Sequence, residues 1–381
     1  MVCTAKFVIA AYTGALSPML PFIQNKLHLS LGQVGLIVGL FSFFNSILQP
    51  LLGWFEDRFN YHYTALLWSP LSVGLFIGSI SFVNSYQWLI LVIVATGIVI
   101  SGFHPASFAY LAKINPLYRG MTISLLLLAS SVGFIIGPIA ISFIIPVEGI
   151  KEFYTVALPG ILITVGLYFV FSRSVRNPSS IETPKKSFNL HNINKSLYIL
   201  FIYALFICIL SMNIFSFVPF ILRDSSQSVT TIGAVLSLFA LGSALGPALG
   251  VIFAKRMGRK KVMLFSTILA ISFHSVFLTT HYQGLLWPIM FFLGLFLMGS
   301  YSIIIEMAQE RADPYVGTVS SILGGGAWGC GGVSTIITSK FADIYGLRNM
   351  MTALLVFLFI NLTINIADLV LKNNLISNDF K

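Results

Sequence analysis

The sequence predicts an all-α membrane protein with twelve transmembrane helices arranged as two pseudo-symmetric six-helix halves. Three observations carry this: the composition, the spacing of the apolar runs, and an internal repeat at a nearly constant offset. Of 381 residues, 57% are hydrophobic and 9% charged. A soluble domain carries about 25% charged residues, so this chain has too few charges to cover a water-facing surface. The same numbers exclude disorder.

A transmembrane helix needs about 20 apolar residues, and the apolar runs have that length. Spans are expected near 7–24, 33–54, 64–82, 88–112, 121–145 and 153–171. A second set is expected near 196–222, 231–254, 262–278, 285–308, 318–339 and 350–371. A barrel would require alternating apolar and polar residues, whereas these runs are apolar on every side. Residues 1–171 form the first six-helix bundle and 196–381 the second. Between them, 172–195 is a hydrophilic linker holding Arg173, Arg176, Lys185, Lys186 and Lys195, with Pro178 and Pro184.

Charge bias sets the orientation. With both termini and the linker in the cytoplasm, 17 of the 22 Lys and Arg fall on that side, Lys6 among them. Only Lys26, Lys151, Arg223, Lys340 and Arg348 fall outside. The expected location is a bacterial inner membrane. The net charge of +10 does not point to nucleic acid, because the basic residues lie between apolar spans and form no stripe. Cys3, Cys208 and Cys330 have no CxxC spacing, so neither a disulfide framework nor a zinc site is expected. No cofactor is expected beyond a transmembrane proton gradient as possible energy source. The expected partners are a small-molecule solute and the bilayer, and the expected state is a monomer. An intramembrane enzyme would need a nucleophile–base pair or a metal cluster within the spans. The sequence has no HExxH, no GxSxG and no paired acids.

The repeat is read residue by residue. Leu20-Pro21-Phe22-Ile23 resembles Val218-Pro219-Phe220-Ile221, and Gly35 matches Gly233, both at an offset of 198. Ser46, Leu48, Pro50, Leu52 and Gly53 recur as Ser243, Leu245, Pro247, Leu249 and Gly250, at 197. Gly97 and Gly102 recur as Gly294 and Gly299, and Tyr118, Gly120 and Ser124 as Tyr315, Gly317 and Ser321, again at 197. Six spans is an even number, so both copies keep one orientation. A substrate site is expected near mid-membrane between them.

Several polar residues inside the spans are candidates for that site. His104, in Gly102-Phe103-His104-Pro105, lies about nine residues from Lys113, roughly 13 Å along a helix. An intramembrane ionisable residue is a functional candidate by default. His104 suits binding an anion or relaying a proton, or a plain bond to a helix carbonyl beside Pro105. Its repeat partner is Tyr301, and pseudo-symmetry places both toward a central cavity. Tyr12, Thr13, Ser17, Asn45, Gln49, Ser211 and Asn213 are further cavity or helix-bridging candidates. Glu306 and Asp368 are acids within apolar spans and are possible coupling residues beside His104. His274 is read as structural.

Two motifs remain. Gly133-Phe134-Ile135-Ile136-Gly137-Pro138 in span five is a GxxxGP sequence, whose glycines permit close helix approach and whose proline can kink the helix. The loop after span two reads Gly53-Trp54-Phe55-Glu56-Asp57-Arg58. This small-x-x-x-acidic-basic pattern resembles the signature loop of the major facilitator superfamily. The stretch from Phe41 through Asn45, Gln49-Pro50 and Gly53 to Asp57-Arg58, together with Phe103-His104-Pro105, is similar to the fosmidomycin-resistance branch of that superfamily. The resemblance implies the major facilitator fold and proton-coupled efflux of a small, often anionic compound. It implies that Asp57 latches the halves on the cytoplasmic side against the start of span eleven, with Gly53, Arg58 and Arg119 assisting. It also reads GxxxGP as an exporter motif. The chain departs from the branch at Ala106, where an acid commonly follows His-Pro, and in span one, which lacks an acid. Uptake of a nutrient, metabolite or siderophore uses the same architecture. A non-transporting receptor or scaffold is the alternative of another class.

Overall fold

A computed structural model describes residues 1–59, 61–114, 119–148, 153–174, 195–280, 283–311, 319 and 322–370. The linker expected at 172–195 falls almost wholly outside the described residues. Among the described residues, eleven helices are long and apolar enough to cross a membrane. In the first half they are α1 (Val2–Leu27), α2 (Leu31–Glu56), α3 (His62–Phe82), α4 (Tyr86–Leu111), α5 (Met121–Ile144) and α6 (Tyr154–Phe171). In the second they are α7 (Ser196–Asp224), α8 (Val229–Met257), α9 (Arg259–Thr279), α10 (Gly284–Glu310) and α12 (Leu347–Leu369). Between the last two runs α11, residues 322–345, in three consecutive segments: Ile322–Gly326, Ala327–Val333 and Thr335–Tyr345.

Lipid offers no partner for backbone amides, so each span satisfies its own as a helix. Turns are short and locally encoded. Ser30 and Gln33 form a capping box at the start of α2, and Ser228 caps α8 through the Thr231 amide. Gly258 (φ 88°) and Gly346 (φ 87°) supply the positive φ that lets α8 pass to α9, and α11 to α12, across one residue.

Burying apolar surface brings no gain in lipid, so the helices associate through close backbone approach at small residues. A side chain at Gly133 would run into the carbonyl of Phe7, and one at Gly137 into that of Ala11, so the GxxxGP sequence packs α5 on α1. The repeat is visible in these crossings. Gly97 on α4 sits against the Phe41 carbonyl of α2, and Gly294 on α10 against the Phe239 carbonyl of α8. Both members of the second pair are repeat partners of the first.

Call the end of the bundle where α1 begins the near end, and the α1–α2 turn the far end. The halves meet at the far end in two related crossings. Gly35 on α2 lies against Ser339 and the Thr335 carbonyl of α11; Gly233 on α8 lies against Ser142 and the Pro138 carbonyl of α5. An offset of 197 or 198 converts one set into the other. Two more contacts reinforce the first crossing: Thr335 Oγ1 donates to the Gly35 carbonyl at 3.0 Å, and the Asp343 carboxylate accepts from the amides of Leu31 (2.9 Å) and Gly32 (2.7 Å). An anion at a helix N-terminus is favoured by the exposed amides and the dipole. Among the described residues the α2–α11 contacts run on from the far end through Gly39 against Ile336 and Ser42 against Gly332 to Ile47 against Gly329. Met121, Leu125, Leu127 and Leu128 of α5, and Leu249, Ile252 and Phe253 of α8, are exposed. The two crossings and their hydrogen bonds close the bundle at its far end.

Candidate substrate cavity

A cavity of about 580 Å³ lies between the halves, within the usual size of small-molecule sites. Its floor is the far-end closure. Its walls come from α1 (Lys6, Thr13, Ser17), α2 (Asn45, Ser46, Gln49), α4 (His104, Phe108), α5 (Ser130, Phe134), α7 (Phe215, Ser216) and α11 (Gly324, Gly325, Trp328). Phe134 and Phe215, one from each half, stack at 4.7 Å.

Two wall segments depart from α-geometry. Phe43–Ile47 of α2 and Ile322–Gly326 of α11 are π-helical turns. Each adds a residue to the turn, which re-aims side chains and bends the helix. Asn45, Ser46, Gly324 and Gly325 belong to these turns and face the cavity. The turns approach each other across the two halves, and Gly329 packs on Ile47 just beyond them.

The chemistry of the cavity centres on Lys6. Its side chain is 3% exposed, and its ammonium reaches the imidazole Nδ1 of His104 at 2.5 Å. An ammonium can only donate, so a protonated Lys6 requires a His104 that accepts at Nδ1. The Phe103 ring lies 6.0 Å from the same ammonium. Among the described lining residues, Lys6 and His104 are the ionisable ones, and none is a carboxylate.

Lys6 is where the structure departs most from the sequence reading. A span beginning near residue 7 leaves Lys6 outside it, on the cytoplasmic side. The helix instead starts at Val2, so Lys6 lies inside it. A lone lysine near an apolar run reads as the end of that run. The repeat held the correction, because an offset of 198 sets Lys6 against Ala204, which sits well inside α7.

The other candidates separate by location. His104 and Asn45 line the cavity. Tyr301 does not: its hydroxyl donates to the Leu323 carbonyl at 3.0 Å, and its ring backs the cavity residue Trp328 at 6.2 Å. Tyr12 donates to the Val156 carbonyl (2.6 Å) and accepts from the Gly160 amide (3.0 Å), joining α1 to α6. Asn213 bonds Ser334 (3.2 Å) and Thr338 (2.5 Å), joining α7 to α11. His274 contacts the Met351 carbonyl at 3.0 Å within the second half.

Glu306 and Asp368 lie away from the cavity, at the near end of the second half. Arg259 reaches Glu306 at 2.8 Å and Glu310 at 2.7 Å, and Lys260 reaches the buried Asp368 at 3.4 Å. These pairs tie the α8–α9 turn to α10 and α12. In the first half, the buried Glu56 carboxylate lies 3.3 Å from His62. Gly53 lies against the Pro105 ring, and Arg58 is exposed. The side chains of Asp57 and Arg119 lie outside the described residues.

The comparisons agree with this architecture. The family model described as Major Facilitator Superfamily matches residues 2–200 and 199–371. The Fosmidomycin resistance protein of Escherichia coli (strain K12) is 24% identical over 337 residues, covering 85% of this chain and 80% of that protein. Multidrug resistance protein 1 of Bacillus subtilis (strain 168) is 26% identical over 355 residues, covering 90% and 87%. The crystal structure of the nucleoside transporter NupG superposes with a TM-score of 0.78 at 15% identity, covering 98% of both chains. With twelve helices in two repeated halves around a central cavity, the chain belongs to the major facilitator superfamily, a multi-pass membrane transporter and not an enzyme.

Proposed function

We propose that the protein exports a small organic solute from the cytoplasm by alternating access, and that the Lys6–His104 cavity is its binding site. The observation that carries the reading is a buried lysine–imidazole pair lining a solute-sized space between two halves that close on each other at the far end. The charge bias supports a cytoplasmic near end, so with the far end closed the cavity loads from inside the cell. The relatives named for fosmidomycin and multidrug resistance, and the GxxxGP sequence at Gly133, Gly137 and Pro138, support export over uptake.

In the proposed cycle the solute enters from the near end and displaces water from the polar wall at Asn45, Gln49 and Lys6. The α2 and α11 turns flex, the near end closes, and Asp57 docks at the start of α11 with Gly53, Arg58 and Arg119 around it. The far-end crossings at Gly35 and Gly233 then part. Coupling follows from the charge of the solute. A neutral or cationic solute loads as the Lys6–His104 pair releases its proton, which makes the proton gradient the energy source. An anion leaves the pair protonated.

The test is solute flux in everted membrane vesicles carrying the protein, with labelled fosmidomycin and a set of dyes. Energised accumulation that is lost with Lys6→Gln is expected. Solute entering right-side-out cells, with none accumulating in everted vesicles, would reverse the direction.

A further inference from the structure

Taking the proposed export reading as its base, one property of the cavity goes further. The cavity wall holds one lysine and one histidine and, among its described lining residues, no carboxylate. The groups around the pair are accounted for element by element. α1 contributes Lys6, Thr13 and Ser17; α4 contributes His104; α2 contributes Ser42, Asn45, Ser46 and Gln49; α5 contributes Ser130; α7 contributes Ser216; α11 contributes two glycines and Trp328. Glu56 approaches the opposite face of α4, beside Gly102, and is paired with His62.

Closing a low-dielectric cavity around a bare ammonium is costly unless a partner replaces its water. Two partners are available. When the cavity is empty, His104 accepts from the ammonium at 2.5 Å. When solute is bound, an anionic group on the solute takes that place with a stronger, charge-assisted bond. With Lys6 protonated in both, no proton is gained or lost around the cycle.

We infer that Lys6 binds an organic anion, that His104 holds the same ammonium during the empty return, and that the membrane potential, acting on the anion's own charge, drives export. The carrier moves a neutral complex in one direction and one positive charge in the other. The inside-negative potential favours both the inward return of that charge and the net loss of an anion. No acid on α1 or after His104-Pro105 is required. For a monovalent anion each ~60 mV supports roughly a tenfold concentration ratio.

The test uses the full chain in proteoliposomes loaded with labelled fosmidomycin or methylphosphonate. A potassium diffusion potential at equal pH is compared with a pH gradient at zero potential. Expected is outward flux under the potential, with little response to the pH gradient. Lys6→Gln abolishes it and Lys6→Arg retains part of it, both proteins eluting as folded monomers. His104→Ala slows net efflux at least tenfold more than it slows anion-for-anion exchange, because only net efflux needs the empty return. Flux that follows the pH gradient at zero potential overturns the proposal, as does equal loss of net flux and exchange in His104→Ala, or no movement of either anion. If a neutral or cationic dye is expelled instead while both anions stay, the export reading survives and this one falls. If neither anions nor dyes move, both fall.

Discussion

Ser17 on α1 donates its hydroxyl to the backbone carbonyl of Phe215 on α7, the residue that stands in its own place one repeat later. The two lie 198 positions apart, the offset that also relates Gly35 to Gly233. The pseudo-two-fold axis therefore passes between them, at the floor of the cavity, and both residues line it. The far-end crossings are disposed about this axis, with Gly35 and Gly233 as its paired contact points.

Substituting either glycine tests whether the crossings hold the far end shut. A side chain at Gly35 meets Ser339 and a backbone carbonyl; one at Gly233 meets a backbone carbonyl and Ser142. Backbone cannot step aside as a flexible side chain does. Gly35→Val and Gly233→Val are each expected to depopulate the far-end-closed state. Spin labels at the exposed His28 and Ile344 should show the longer distance becoming the major one. An unchanged distribution in both variants would mean that other contacts hold the gate.

Asp343 offers a gentler perturbation. Its two oxygens each accept one amide at the start of α2. Asp343→Asn keeps the shape and removes the charge, losing about 1–2 kcal/mol from the closed far end. That corresponds to a shift of roughly 5–30-fold between states. A cysteine at Thr13, in a chain with the native cysteines replaced, should react correspondingly faster with an impermeant thiol reagent from the far side. No acceleration would show that the cap is incidental.

The two near-end ion pairs of the second half should differ in worth. Lys260 and Asp368 have side chains 16% and 3% exposed, against 25% and 47% for Arg259 and Glu306. Asp368→Asn deprives a mostly buried lysine of its carboxylate and should cost about 3 kcal/mol. Glu306→Gln should cost no more than ~1 kcal/mol. Thermal unfolding in detergent measures both. The double variant Lys260→Met with Asp368→Leu should recover most of the loss, and failure to recover would mean that Asp368 serves other partners.

Gly324 and Gly331 separate a binding defect from a folding defect. Nothing lies within 4 Å of a Cβ placed at Gly324, which faces the cavity. At Gly331 the same atom would lie 2.8 Å from the Cys208 backbone. Gly324→Leu should therefore raise KM by tenfold or more with the melting temperature unchanged. Gly331→Leu should lower the melting temperature by several degrees. A reversed pattern would mean that the cavity is not the solute path.

The spans were readable because the bilayer imposes length and apolarity on each. The halves were readable because Gly35, Gly97 and their partners must stay small wherever backbones touch. What escaped was local departure from both rules. Lys6 hides at the start of an apolar run, where hydropathy treats a charge as a boundary. The π turns at Phe43–Ile47 and Ile322–Gly326 leave no periodic signature, since one added residue merely shifts the phase. Tyr12, Asn213 and Tyr301 carry the polar groups expected of a cavity, yet they spend them on neighbouring helices. Composition cannot tell which way a side chain faces.

A far end held shut by Gly35 and Gly233 has a mechanical consequence when the halves rock. A bundle that is narrow in one leaflet and broad in the other is a wedge, and the surrounding monolayers must bend to follow it. When the halves rock, the wedge inverts. The balance between the two states therefore depends on spontaneous curvature: lipids that prefer to curl toward one face of the membrane favour the state whose taper matches them.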